Sequence, residues 1–104
     1  MKSSQIAALA VYFGIFAHPV LAHAECAKDS IGTVYCAEYP TGGAVADGIG
    51  TVLCGKGQCR RDGIGTVHCS QVPGGGAETD SIGTVKCLGG CERGSRNACV
   101  RGDR

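Results

Sequence analysis

Beyond Ala24 the chain has no tryptophan and no phenylalanine, and only 13 Leu, Ile and Val. That excludes a core built on large side chains, and with it a large enzyme or a Rossmann domain. Outside the N-terminal segment that ends at Ala24, no window shows a 3.6-residue apolar period, so no amphipathic helix is expected. Charge of one sign is missing as well. Beyond Ala24, nine Lys and Arg stand against nine Asp and Glu, and His68 is the only histidine, a balance that argues against a nucleic-acid binder. No Cys-x-x-Cys pair suggests redox chemistry. Gly74-Gly75-Gly76 runs into Ala77 without the Lys-Ser/Thr and following helix that a phosphate loop requires.

What is present begins with a leader. Lys2 supplies a positive start, Ile6 to Phe16 an apolar run, and Ala22-His23-Ala24 a small-x-small cleavage site before Glu25. Residues 1–24 therefore read as a cleaved export signal. Ile6 to Leu21 falls short of the roughly 20 apolar residues that cross a bilayer, and His18-Pro19 interrupts it, so no transmembrane anchor is expected. Glu25, where a lipoprotein would need a small residue, precedes Cys26. Export places the rest of the chain in an oxidising periplasmic or extracellular compartment, where eight cysteines, an even number, read as four disulfides.

Self-comparison reveals Asp-Ser/Gly-Ile-Gly-Thr-Val-x-Cys four times, beginning at Asp29, Asp47, Asp62 and Asp80. Flanking features alternate, so the period is 33 residues, with units at about 26–58 and 59–90. Residues 25–90 form the repeat domain, and 91–104 a disulfide-closed cap with a basic tail. Asp first and Gly fourth fit a type I turn followed by a left-handed glycine, closing a three-residue hairpin loop. Counting outward sets Cys26 opposite Cys36 and Cys59 opposite Cys69, while Cys54 and Cys87 face Ala44 and Ala77. The fold class expected is all-β, a small disulfide-rich meander of short antiparallel hairpins. Alternation assigns Val34, Val52, Val67 and Val85 to the core, and Tyr35, Leu53, His68 and Lys86 to a tolerated surface.

Few residues offer chemistry. His68 has no counterpart in the other copies, and neither Ser70 nor Asp62 sits in a nucleophile elbow, so no catalytic residue is assigned. Tyr35 and Tyr39 are too few to form a stacking platform for glycans. Thr33, Thr51, Thr66 and Thr84 recur, but not two apart within a strand as on a flat ice-binding face. Arg93, Arg96, Arg101 and Arg104 read as a solvated, partly frayed end, and the Arg101-Gly102-Asp103 tripeptide as chance.

The reading is a non-enzymatic exported protein with a structural or interaction role toward an envelope or extracellular partner that the sequence does not name, with no cofactor and no metal. The alternative is a thiolate protein holding a soft metal through Cys54, Cys59, Cys87 and Cys91. Register pairs Cys26 with Cys36 and Cys59 with Cys69. Cys91 and Cys99 are expected to close the cap, and Cys54 with Cys87 to join two units packed through their Val and Cys faces. A competing pattern joins Cys54 to Cys59 and Cys87 to Cys91.

Overall fold

The computed structural model describes residues 24–102, so the leader expected over 1–24 lies, Ala24 apart, outside the described residues. Four hairpins follow one another: β1 (Cys26–Lys28) with β2 (Val34–Ala37), β3 (Ala44–Ala46) with β4 (Val52–Cys54), β5 (Cys59–Arg61) with β6 (Val67–Ser70), and β7 (Ala77–Thr79) with β8 (Val85–Cys87). The chain is all-β. Each loop is built as its sequence dictates. The Gly32 N–H donates to Asp29 O at 3.1 Å, the Asp29 N–H to Thr33 O at 2.9 Å, and Gly32 takes φ 92°, a conformation costly for a residue with a Cβ. Asp29 Oδ1 accepts the N–H groups of Ile31 and Thr33. Asp47, Asp62 and Asp80 do the same in their turns.

The hairpins stack, and the stacking is written in backbone hydrogen bonds between neighbouring turns. The second residue of one turn donates to the fourth of the next: Ser30 to Gly50 O, Gly48 to Gly65 O and Gly63 to Gly83 O, each at 3.0 Å. Side chains follow the same order. Ala27 and Tyr35 of the first hairpin pack on Ala44, Val52 and Cys54 of the second, and Val45 and Leu53 of the second on Cys59, Val67 and Cys69 of the third. The expectation of two units meeting through their Val and Cys faces is thus corrected. Each of these Val and Cys faces rests on the variable-residue face of the hairpin before it, so Tyr35 and Leu53 are packing residues and not spare surface.

A one-sided stack has an uncovered first face, which changes one core assignment. Val52, Val67 and Val85 are buried, but Val34 is half-buried, since among the described residues no hairpin precedes it. Val67→Ala should therefore cost about 2 kcal/mol and Val34→Ala under about 1, in urea denaturation of the two variants. Equal losses would contradict the stacking order.

After β8 the chain departs from a simple meander. β9 (Cys91–Arg93) pairs with β6, Ser95 bridges to Cys54, a single 3-10 turn spans Arg96–Ala98, and β10 (Cys99–Arg101) pairs with β2. The last dozen described residues are a strap that runs back along the stack from the fourth hairpin to the first. This corrects the disulfides. Cys26–Cys36 and Cys59–Cys69 lie across the first and third hairpins with Cα atoms 3.9 Å apart. The expected Cys54–Cys87 and Cys91–Cys99 bridges are absent; Cys54 joins Cys99 and Cys87 joins Cys91, with Cα separations of 5.4 and 5.1 Å. Cys91 and Cys99 cannot close a loop on each other because each belongs to a different sheet. Half of the competing pattern is found, since Cys87–Cys91 is present and Cys54–Cys59 is not.

The strap strands are equivalent to each other. Cys91-Glu92-Arg93-Gly94 lies on β6 as Cys99-Val100-Arg101-Gly102 lies on β2, with Gly94 N–H donating to Val67 O and Gly102 N–H to Val34 O. A Cβ on Gly94 would stand 2.9 Å from Val67 Cγ1, and one on Gly102 2.9 Å from Val34 Cγ1. In each half, then, a strap cysteine ties one hairpin to the next: Cys99 joins the first to the second, and Cys91 the third to the fourth.

Candidate functional site

The residues singled out from sequence do not converge. His68 Nε2 lies 3.0 Å from Asp62 Oδ2, both half-buried at the base of the third turn. The Thr66 N–H holds the Asp62 carboxyl below its ordinary range against partial desolvation, and His68 and the Ile64 N–H add to the lowering. The pair does not reach a nucleophile. The buried Ser70 hydroxyl donates to Leu88 O at 2.6 Å and accepts the Val72 N–H at 3.1 Å, and forms no hydrogen bond with His68. A relay of the serine-hydrolase kind needs the base on the hydroxyl.

Cys54, Cys59, Cys87 and Cys91, the proposed thiolate set, are all oxidised in three separate bridges. A disulfide sulfur is not the anionic ligand that zinc or Cu(I) selects. Tyr39 is exposed with the Lys56 ammonium 5.8 Å from its ring centre, and Tyr35 is engaged in packing. The threonines align on successive turns, but Thr33, Thr51 and Thr66 are half-buried.

Three of the C-terminal arginines, Arg93, Arg96 and Arg101, are not on a frayed end. Arg93 lies in β9, Arg101 in β10 and Arg96 in the 3-10 turn, all on a strap pinned by Cys91 and Cys99. Asp103 and Arg104 lie outside the described residues. Arg93 and Arg96 line two turn-side recesses of about 190 and 170 Å³, with Asp47 and Asp29 respectively. These fall below the roughly 300 Å³ at which small-molecule sites begin.

One feature of the turns was not singled out from sequence. The third residue of each turn is Ile31, Ile49, Ile64 or Ile82, exposed by 85, 83, 88 and 84%. Local structure does not ask for them. That position favours small or polar residues, and a β-branched apolar side chain there gains no burial. The hydrogen bonds between successive turns set the four side chains in one row along the stack. Scattered exposed apolar residues need no explanation, but a contiguous apolar strip marks a contact surface. The signal was available in the motif. Isoleucine at a turn tip in four copies of four is against turn chemistry, whereas alternation counting stops at the strands.

The chain matches no protein-family model, no curated protein and no solved structure.

Proposed function

We propose that the chain is an exported, disulfide-stapled β protein with a structural or interaction role in the cell envelope or outside the cell, and without catalytic activity. The observation that carries this reading is the complete pairing of its eight cysteines. Such pairing persists where glutathione and thioredoxin do not act. Among the described residues no helix is long and apolar enough to cross a membrane. The leader read over residues 1–24 supplies the route. The isoleucine row supplies a contact surface, carried on turns linked in series by backbone hydrogen bonds.

Protein purified from its native compartment and denatured without reductant should show less than one free thiol per chain. Several thiols together with bound zinc or copper would overturn the proposal and restore the thiolate reading. Fractionation of the producing cells should place the oxidised form outside the inner membrane.

A further inference from the structure

We propose that the isoleucine row is a self-association surface on which two copies of this chain pair antiparallel, about a two-fold axis. The inference rests on the interaction role above and names the partner. Three observations support it. The row is regular: Ile31, Ile49, Ile64 and Ile82 sit on four turns tied in series by identical hydrogen bonds, so their pitch is fixed by the fold. A second row of the same pitch, reversed, lets the isoleucines of one copy seat between those of the other. An isologous contact of this kind closes on itself.

The second observation is one of size. Eight isoleucine side chains, each more than four-fifths exposed in one copy, leave water together. That places the contact at the low end of specific interfaces, about 1200 Å² in total, so the pairing is concentration dependent and not obligate.

The third concerns the alternatives. Beneath the row lie Asp29, Asp47, Asp62 and Asp80, a line of carboxylates that disfavours anionic lipid surfaces and, repelling the same line in a second copy, makes the pairing tighter as ionic strength rises. End-to-end stacking is obstructed as well. The second hairpin closes on the third through Gly55, where a Cβ would stand 2.7 Å from Cys69 Sγ. One repeat later the fourth hairpin carries Leu88 at that place, 65% exposed. A further hairpin docked in the same way would meet that side chain.

Sedimentation equilibrium of the oxidised protein over a wide concentration range should show a reversible monomer–dimer equilibrium. Ile49→Ser and Ile64→Ser, whose side chains are almost wholly in solvent, should keep the monomer fold by amide NMR. Each should weaken dimerisation about tenfold, while Leu88→Ser leaves it unchanged. Isotope-filtered NOEs in mixed labelled and unlabelled dimers should join Ile31 to Ile82 of the partner subunit, which are three turns apart within one chain. A monomer at every concentration overturns the proposal, as does dimerisation that is indifferent to the isoleucine substitutions. Isoleucine-dependent binding of a monomer to phosphatidylcholine vesicles would also overturn it, and would leave the interaction role standing with lipid as partner.

Discussion

Reduction of the four disulfides is expected to unfold the chain. On the chain-entropy scale a bridge of sequence separation 45, as Cys54–Cys99 is, contributes about 4 kcal/mol, each bridge of separation 10 roughly 3, and Cys87–Cys91 about 2. Their total, about 12 kcal/mol, matches or exceeds the roughly 4 to 12 expected of a domain of about 80 residues. Burial offers little in reserve, because the largest fully buried side chains among the described residues are Val67, three half-cystines and Ser70. Amide NMR in excess reductant should therefore lose its dispersion, and retained dispersion would show that the stacked backbone holds without cross-links. The Cys54→Ser, Cys99→Ser double variant should lose about 4 kcal/mol, because it frees the strap from the second hairpin. It should also loosen β10 before any other strand in hydrogen exchange.

The parts of this fold that were legible are those set within a dozen residues. Asp29 and Gly32 specify the turn, the turn specifies register, and register brings Cys26 to Cys36 without reference to the rest of the chain. The same logic placed Cys59 on Cys69. Long-range pairing was not legible because spacing carries no information about where a chain reverses. Cys91 and Cys99, so close in sequence, read as the two ends of a disulfide-closed cap. They are the first residues of two Cys-x-Arg-Gly strap strands on different sheets, and that short recurrence was the available clue. Alternation correctly separated Val67 from His68 but did not say what each face would meet. In a stack both faces of an interior hairpin are covered, and Leu53 is therefore as structural as Val52. The isoleucine row escapes alternation counting for the converse reason, since a turn sequence is specified by its backbone conformation and not by what its third residue leaves in solvent.

The last expectation concerns the glycines, which composition alone would assign to turns. Gly55→Ala should destabilise the protein by about 3 kcal/mol, while Gly32→Ala should cost only about 1. Gly32 carries the left-handed penalty alone: its φ is 92°, and a Cβ there would meet nothing within 4 Å. Gly55 is buried with no positive φ, so its backbone would accept alanine, but the new methyl would press on Cys69, 2.7 Å from Sγ, while only reaching ordinary contact with the Cys59 sulfur at 3.5 Å. A disulfide cannot rotate away as a free side chain can, and the neighbouring hairpin must shift, an overpacking cost at the upper end of the usual range. Leu88 provides the internal control, standing one repeat later with no hairpin stacked beyond it, so Leu88→Ala should change stability by under about 0.5 kcal/mol. If urea denaturation ranked Gly32→Ala as the more damaging variant, turn conformation and not the close approach of stacked hairpins would be the reason for glycine in this chain.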